Sequence, residues 1–259
     1  MDLLRELQEA KEAAYAAGKS ILEVYKEDFQ TKYKEDNTPV TKADYIANQL
    51  IINRIRKAFP TDAVLSEESA DDKTRMWNPR CWVIDPLDGT KEFIKKNGEF
   101  TVNIALVCKN KAVMGVVYLP VKEEMYFAVK GQGAFYEEDG IKRLLAVSNR
   151  VNNIRAACSR SHTSEKLTEL MDRKGITERI YAGSAIKGCM IARGKAEIYY
   201  RFGLTSEWDT AALQCIVEEA GGIFRQMDDT EMTYNRKDTV NRKGFYILNR
   251  IENKLQIKI

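Results

Sequence analysis

Two stretches near the start of the chain have the hydrophobic spacing of amphipathic helices. In residues 2–28 and again in residues 42–58, apolar side chains recur every three or four positions with charged residues between them. The apolar positions of the first stretch include Leu3, Leu7, Ala14, Ala17, Ile21 and Val24. Residues 35–39 have the composition of a turn. We therefore expect two helices joined by a turn.

After residue 60 the pattern changes to short apolar runs bounded by glycine, proline, asparagine or charged residues, which predicts strands. The runs lie at 63–65, 81–85, 101–107, 112–119, 125–129 and 133–136. A short helix is expected at 91–94, directly after an apolar run, and residues 71–79 are expected to form a polar loop. The first part of the chain is therefore predicted to be two helices followed by a mostly antiparallel sheet.

Beyond about residue 150 strand-like and helix-like segments alternate. The predicted strands are 155–158, 179–181, 197–200, 223–224 and 245–248, and the predicted helices are 163–173, 184–193 and 207–220. Such alternation is typical of an α/β layer. We predict an α/β (α+β) protein with an N-terminal α+β half, residues 1–147, and a C-terminal α/β half, residues 148–259.

Composition and charge exclude several classes of protein. The 259 residues are 44% hydrophobic and 31% charged, as in ordinary globular domains. The formal charge of +3 is too small to indicate a nucleic-acid or membrane surface. The chain lacks an apolar run of about 18 residues, so no transmembrane helix is expected. The N-terminus also lacks the apolar core of a signal peptide.

Five cysteines and a single histidine limit the chemistry further. The cysteines are far apart and form no C-x-x-C pair, and with only His162 available no zinc site is expected. A Ser-His-Asp triad would have to use His162 alone. The cysteines are expected to be buried thiols in a reducing cytoplasm. We expect a cytoplasmic monomer or homodimer, with peripheral contact at the inner membrane left open.

The clearest chemical signal is a turn that carries two aspartates. Asp85 and Asp88 follow an apolar run and precede Gly89, after which a helix is predicted. Gly89 lets the backbone approach a ligand closely, and the N–H groups that follow it can face an anion. Hard cations bind carboxylate oxygens, and phosphates bind cations and N–H donors. The turn therefore predicts a site for Mg²⁺ and phosphate.

Three further acids lie where other predicted elements begin or end. Glu67 follows the short strand at 63–65, whereas Asp44 and Asp209 lie in the first turns of helices. Taken alone, Asp44 and Asp209 would be explained by the helix dipole, and Glu67 by a solvated loop. Two predicted strands each end in a pair of acids, Glu67 with Glu68 and Asp85 with Asp88. The second pair lies beside a glycine-to-helix turn, and together the two pairs favour the metal-site interpretation.

Four segments, in this order along the chain, resemble the inositol monophosphatase superfamily of Mg²⁺-dependent, lithium-sensitive phosphatases. They lie at 36–44, 66–69, 85–90 and 208–222. Within that superfamily the chain is most similar to the CysQ-type 3′(2′),5′-bisphosphate nucleotidases. That narrower similarity rests on residues 91–94, 159–162, 183–187 and 200–203. The resemblance implies a layered αβαβα sandwich of the inositol monophosphatase/fructose-1,6-bisphosphatase type.

The resemblance also implies two to three Mg²⁺ ions. Glu67, Asp85 and the backbone carbonyl of Leu87 would hold one ion. Asp85, Asp88 and Asp209 would hold a second, so that Asp85 bridges the two. A weaker third ion would bind at Glu67. This ligand set suits Mg²⁺, which prefers carboxylates, water and phosphate oxygens.

The catalytic residues implied are Asp44, Thr90 and Glu67. Thr90 would accept a hydrogen bond from the attacking, metal-activated water while donating its own proton to Asp44. The N–H groups of Gly89 and Thr90 would bind the phosphate, and no phosphoenzyme would form. On residues alone, Thr90 has a second interpretation as an ordinary helix N-cap.

The nucleotidase resemblance implies that a nucleotide binds in the second half of the chain. The matching positions are Ser159, His162, Gly183, Ser184, Lys187 and Arg201. The substrate would be adenosine 3′,5′-bisphosphate (PAP), converted to AMP, with 3′-phosphoadenosine 5′-phosphosulfate (PAPS) as a further substrate and a role in sulfur assimilation. Without the resemblance, His162 would be a surface residue, Lys187 a solvated helix residue and Arg201 the partner of an acid.

Other functions stay open at this point. Ala185 and Leu204 depart from the residues most frequent in the nucleotidases. The same chemistry could therefore act on an inositol phosphate, a sugar phosphate such as fructose 1,6-bisphosphate, or an oligonucleotide end. A phosphate or nucleotide binder without activity is a second alternative. Nucleic-acid binding through the basic stretch at 236–243 is a third, although this stretch lacks interleaved aromatic residues.

Overall fold

The structure is a computed structural model that describes residues 2–27, 30–33, 39–160 and 165–257. Its helices are α1 (Leu4–Lys26), α2 (Lys42–Ala58), α3 (Thr90–Ile94), α4 (Glu165–Arg173), α5 (Ile186–Ala192) and α6 (Glu207–Glu219). Within the described residues, none of these helices is both long and apolar enough to span a bilayer. A short 3₁₀ helix, Thr74–Trp77, lies inside the segment expected to be a loop.

The strands of the first half form a hairpin and a seven-stranded sheet. The hairpin pairs β1 (Thr31–Tyr33) with β2 (Pro39–Thr41). The sheet contains, in spatial order, β3 (Ala63–Ser66), β4 (Arg80–Asp88), β5 (Thr101–Cys108), β6 (Lys111–Leu119), β7 (Glu124–Val129), β8 (Ala134–Glu138) and β9 (Ile141–Leu144). β3 is parallel to β4, and the other neighbouring strands are antiparallel. The prediction of a mostly antiparallel sheet is confirmed.

The second half forms a mixed five-stranded sheet. Its strands are β10 (Ala156–Ser159), β11 (Arg179–Ala182), β12 (Ile198–Arg201), β13 (Ile223–Gln226) and β14 (Phe245–Leu248). Their spatial order is β11-β10-β12-β14-β13. β10 is parallel to β11 and β12, whereas β14 is antiparallel to β12 and β13. Each strand overlaps a segment predicted from the sequence.

Alternating side chains of β4 show how the layers stack. Trp82 and Ile84 belong to the hydrophobic cluster formed with α1 and α2, whereas Cys81 and Val83 belong to the cluster formed with α5, α6 and the second sheet. A third cluster joins the other face of the second sheet to α4. Strand side chains point alternately to opposite faces, so one sheet can pack against helices on both sides. The layers are therefore αβαβα, as expected.

The cluster between the two sheets draws residues from both halves of the chain. The first sheet ends at Leu144 and the second begins at Ala156. The division into residues 1–147 and 148–259 stays a prediction. The layer arrangement matters for function because β4, in the first sheet, and α6, between the sheets, both carry predicted metal ligands.

Candidate metal and phosphate site

A bulge in β4 brings Asp85 and Asp88 to the same face of the sheet. Asp85 pairs with Asn103 and Asp88 pairs with Thr101 on β5, and the register shifts between the two pairs. Three steps along β4 therefore match two steps along β5. In a regular strand, residues three apart would point to opposite faces, and the extra residue of a bulge corrects this. Both carboxylates can therefore face one small volume.

Helix α6 adds a third carboxylate to this volume. Asp209 lies in the first turn of α6, and its Oδ2 accepts the N–H of Ser206 at 2.6 Å in a capping box. One carboxylate oxygen each from Asp85, Asp88 and Asp209 lies within 4.8 Å of the others. Asp209 thus both caps a helix and meets the acids of β4, which its first-turn position alone did not require.

Burial and mutual repulsion make the charged form of this cluster costly. Burial, followed by repulsion from Glu67, Asp88 and Asp209, raises the pKa of Asp85 well above its ordinary value. Burial, with repulsion from Asp88 and Glu67, raises the pKa of Asp209 to about 8. Close carboxylates of this kind are stabilised by an opposite charge among them. An all-oxygen donor set fits Mg²⁺.

We expect Mg²⁺ to stabilise the protein more at about pH 8 than at about pH 6. Asp209 holds its proton more tightly in the folded state, with a pKa of about 8, than in the unfolded chain, where it titrates near ~4. The stability that this proton contributes is therefore lost as the pH rises through the folded pKa. Bound Mg²⁺ would replace the proton as the neutralising charge.

The measurement is the melting temperature in EDTA and in saturating Mg²⁺ at both pH values. Asp209→Asn removes both the titrating carboxylate and a predicted Mg²⁺ ligand, so its Mg²⁺-induced shifts should be small and similar at the two pH values. Equal Mg²⁺-induced rises in the melting temperature of the unmodified protein at the two pH values would contradict the idea that Mg²⁺ replaces the proton of Asp209.

The predicted contact between Thr90 and Asp44 is present. Thr90 Oγ1 lies 3.2 Å from Asp44 Oδ1 and 3.3 Å from the carbonyl oxygen of Leu87, so its single proton can go to either acceptor. Asp44 is buried, and its Oδ2 accepts the N–H and the hydroxyl of Thr41 at 2.8 and 2.7 Å. Asp44 therefore presents its other oxygen to Thr90.

Thr90 is not the N-cap of α3, so that interpretation is wrong. The N-cap is Gly89, whose φ is 95°. This left-handed conformation is easy only for glycine. A Cβ at Gly89 would also lie 3.1 Å from the carbonyl oxygen of Glu99 and 3.3 Å from Cβ of Ser184. Gly89 is therefore needed for the turn itself.

Lys187 is buried rather than solvated, which corrects the expectation from its helical position. Its side chain lies in α5, and Nζ donates to the carbonyl oxygens of Ser184 and Ala182 at 2.7 and 3.3 Å. An ammonium has three N–H bonds, so one is left for a ligand. Burial lowers the pKa of Lys187 to about 8, although the nearby charge of Asp88 raises it.

The loop before α5 is held in an unusual conformation. Ser184 has a φ of 43°, which is rare for a residue with a side chain, and its buried Oγ has no hydrogen-bond partner within the described part of the chain. Gly183 donates its N–H to Glu99 Oε2 at 2.9 Å. Glu99 also binds Arg160 through two hydrogen bonds, at 2.6 and 2.7 Å. Strained backbone and unpaired polar atoms of this kind concentrate at functional sites.

A cavity of about 280 Å³ joins these groups. It is lined by the following predicted residues: Glu67, Asp85, Leu87, Asp88, Gly89, Thr90, Ser159, Gly183, Ser184, Lys187, Arg201 and Asp209. Asp44 reaches the cavity through Thr90, and His162 lies outside the described residues. The structure thus brings the predicted residues of both halves together, while their individual roles stay predictions.

Sequence reasoning missed a buried polar network that holds the start of α6. Glu207 is fully buried and accepts the N–H groups of Asn235 and Arg236 at 2.5 and 2.9 Å. Asn241 donates to the carbonyl oxygen of Ser206 at 2.8 Å and accepts from Arg236 at 2.7 Å. An acid in a first helical turn looks like an ordinary partner of the helix dipole, so the sequence carried no signal for this role.

Comparison with known proteins agrees with this geometry. The sequence pattern of the inositol monophosphatase family matches residues 3–256. The chain is 40% identical over 245 residues to the 3′(2′),5′-bisphosphate nucleotidase CysQ of Salmonella typhimurium, and the match covers 93% of this chain and 98% of the relative. It is 38% identical over 244 residues to the protein of the same name from Escherichia coli K12, with 93% and 98% covered.

A solved structure gives the same result. The crystal structure of CysQ from Bacteroides thetaiotaomicron, described as a bacterial member of the inositol monophosphatase family, superposes with a TM-score of 0.82. The two are 40% identical, and the match covers 95% of this chain and 98% of that one. Family pattern, relatives, fold and carboxylate cluster agree, and the chain belongs to the inositol monophosphatase family.

Proposed function

We propose that the protein is a Mg²⁺-dependent 3′(2′),5′-bisphosphate nucleotidase that converts PAP to AMP and phosphate, and that it also accepts PAPS. The observation that carries the proposal is the cavity whose wall holds Asp85, Asp88 and Asp209 together with the positive side chains of Lys187 and Arg201. In a nucleotide with two phosphates, one phosphate would bind cations held by the acids, and the other would bind the positive side chains directly. The similarity to the CysQ nucleotidases supports the same substrate.

The metal ligands in this proposal are Glu67, Asp85, the carbonyl of Leu87, Asp88 and Asp209. They would hold two Mg²⁺ ions, with Asp85 between them, and a weaker third ion at Glu67. When bound, the cations neutralise the charge of the phosphate and lower the pKa of the attacking water. Asp88 is also tied to the substrate side of the cavity, because its Oδ2 accepts the N–H of Ala185 at 2.7 Å.

Thr90 and Asp44 orient the attacking water. A hydroxyl that donates its proton to Asp44 keeps its lone pairs available to accept an O–H of the water. Glu67, at the wall of the same cavity, would assist in taking up the proton. The N–H groups of Gly89 and Thr90, at the start of α3, would bind the phosphate oxygens. Water then attacks phosphorus in line and gives up its proton, the bond to the ribose 3′-oxygen breaks, and that oxygen takes up a proton to leave as the 3′-hydroxyl of AMP, without a phosphoenzyme.

The remaining phosphate of the nucleotide would lie against Lys187 and Arg201. The third N–H bond of Lys187, in α5, and the Oγ of Ser184, in the loop before it, are the donors that this part of the cavity offers to it. Gly183 keeps the loop close to the first half of the chain, since a Cβ there would lie 2.6 Å from the carbonyl oxygen of Glu99. Ser159, and His162 beyond the described residues, complete the predicted nucleotide contacts.

The KM for PAP is expected to rise as the pH is raised through about 8. Lys187 has a pKa of about 8 in the folded protein, so above that value it loses the charge that attracts a phosphate. The measurement is kcat and KM against pH at saturating Mg²⁺. Lys187→Met is the comparison: its KM should be high at every pH and lack this rise. If KM rises with pH in Lys187→Met as it does in the unmodified protein, Lys187 is excluded as the source of the rise.

A phosphate-release panel tests the proposed substrate. The protein is assayed with Mg²⁺ on PAP, PAPS, inositol 1-phosphate and fructose 1,6-bisphosphate, with and without millimolar lithium. We expect the highest kcat/KM on PAP, and inhibition by lithium. A preference for inositol 1-phosphate over PAP of about tenfold would contradict the nucleotidase assignment. Nucleotide binding without any turnover would favour a non-catalytic binder instead.

The proposal includes a cellular setting. PAPS carries activated sulfate, so an enzyme acting on PAP and PAPS would serve sulfur assimilation. The unpaired thiols of Cys81, Cys158, Cys189 and Cys215, all buried, are compatible with a cytoplasmic location. We propose a monomer or homodimer, which light scattering of the purified protein would distinguish.

A further inference from the structure

Two buried polar side chains of β5, Thr101 and Asn103, form a relay, a short chain of hydrogen bonds that ends at Asp88. Thr101 and Asn103 are 0% and 1% exposed. Thr101 Oγ1 lies 2.9 Å from Asn103 Oδ1, and Asn103 Nδ2 lies 3.2 Å from Asp88 Oδ2. Thr101 and Asn103 are two positions apart on β5, so their side chains point to the same face of the sheet. This is the face of Asp88 and Asp85, with which they pair on β4. Buried polar groups in the middle of a sheet require an explanation.

The donor and acceptor atoms of these side chains determine which way each hydrogen bond of the relay points. A carboxylate only accepts hydrogen bonds, so it must face the NH₂ group of Asn103. The amide oxygen of Asn103 then faces Thr101, whose hydroxyl has one proton and lies closer to that oxygen than to Asp88 Oδ2, at 3.4 Å. Thr101 therefore sets the orientation of the amide, and the amide sets the orientation of the carboxylate.

The contacts of Asp88 are concentrated on one oxygen. Oδ2 accepts the N–H of Ala185 and the amide of Asn103. Among the residues that the structure describes, no hydrogen-bond donor contacts Oδ1. The carboxylate is thus held by one oxygen, while the residue contributes one carboxylate oxygen to the group that it forms with Asp85 and Asp209.

We propose that Thr101 and Asn103 are positioning residues that orient Asp88 for cation binding. The inference rests on the proposed metal site and adds two residues to it that touch neither cation nor substrate. Partners behind a metal ligand typically change metal affinity by about 10–100-fold when they are removed. The relay should therefore influence Mg²⁺ affinity more than turnover at saturating Mg²⁺.

Two substitutions at Thr101 separate this role from packing. Thr101→Val keeps the shape of the side chain and removes the hydroxyl, whereas Thr101→Ser keeps the hydroxyl and removes a buried methyl group. A packing role would make Ser the more damaging change. The relay makes Val the more damaging change for Mg²⁺ binding. Melting temperatures in EDTA report how far each variant is destabilised without metal.

Calorimetric titration of the substrate-free protein with Mg²⁺ is the primary measurement. We expect Thr101→Val to weaken binding by about tenfold and Thr101→Ser to change it by less than about twofold. The Mg²⁺ concentration for half-maximal activity should rise in parallel in Thr101→Val, with kcat at saturating Mg²⁺ nearly unchanged. Equal affinities in the valine variant and the unmodified protein, or a serine variant as weak as valine, would overturn the inference.

The same titration distinguishes failure of this inference from failure of the proposed function. An unmodified protein that binds no Mg²⁺ would overturn the metal site and the relay together. An unmodified protein that binds Mg²⁺ as tightly as Thr101→Val would overturn the relay alone. Asn103→Leu provides a second variant, with an expected loss toward the upper end of the roughly 10–100-fold range because it removes a direct partner of Asp88.

Discussion

Asp85→Asn is expected to abolish phosphate release while raising the melting temperature of the metal-free protein. Asp85 is 1% exposed, and repulsion from Glu67, Asp88 and Asp209 adds to the cost of its charge. Asparagine retains the oxygen that accepts the N–H of Leu87, at 3.1 Å in the structure, so the turn should persist. Without the carboxylate proposed to bridge the two cations, kcat should fall by at least about a thousandfold, which corresponds to about 4 kcal/mol.

The gain in stability should be visible in EDTA and absent in Mg²⁺. Relief of about 1 kcal/mol of repulsion would raise the melting temperature by roughly 2–4 °C in a protein of this size. Asp62→Asn is the matched control, because Asp62 accepts hydrogen bonds from Arg80 and Trp82 in a structural contact that is not part of the cavity lining. That variant should lose stability and keep its turnover. Near-normal turnover in Asp85→Asn would exclude a bridging role.

Thr90→Ala is expected to lower kcat by about 10²–10³-fold with little change in Mg²⁺ affinity. The side chain of Thr90 is proposed to orient the attacking water and not to hold a cation, and loss of such proton-handling groups typically costs about 10²–10⁴-fold. The measurement is kcat at saturating PAP and Mg²⁺, together with the Mg²⁺ dissociation constant from calorimetry.

Thr90→Ser is the control for this prediction, since it retains the hydroxyl that contacts Asp44 at 3.2 Å. It should keep most of the turnover. A Thr90→Ala variant that loses Mg²⁺ affinity more than kcat would contradict the proposed role and would place Thr90 among the groups that support the metal ligands.

The helices and most strands could be predicted because their apolar residues form local runs and helical periods, whereas the order of the layers was implied by the family resemblance. The apolar run of β4 and the helical spacing of α1 and α2 are local features, and the structure places these elements where the sequence indicates. Strand β9, Ile141–Leu144, was missed because it is a fully exposed edge strand with no apolar alternation. The hairpin of β1 and β2 was missed because its strands have only three residues each.

The site could be predicted only in part because its geometry depends on contacts between distant segments. The acids were identified from their positions at element ends, but the bulge that turns Asp85 and Asp88 to one face exists only through pairing with β5. Burial of Lys187 depends on the packing of α5 between layers, which no property of its own sequence reveals. The same holds for Thr101 and Asn103, which on sequence alone are ordinary polar residues of a strand.

The proposed function requires that the carboxylates of β4 and α6 hold two divalent cations that share Asp85. Mn²⁺ binds to oxygen ligands of the kind that suit Mg²⁺ and scatters X-rays anomalously. The most direct test is the anomalous difference map of crystals grown with Mn²⁺. We expect two strong peaks, both in contact with Asp85, one also with Glu67 and the carbonyl of Leu87, and the other with Asp88 and Asp209. A map without peaks at these residues, or with peaks that do not share Asp85, would contradict the proposed function.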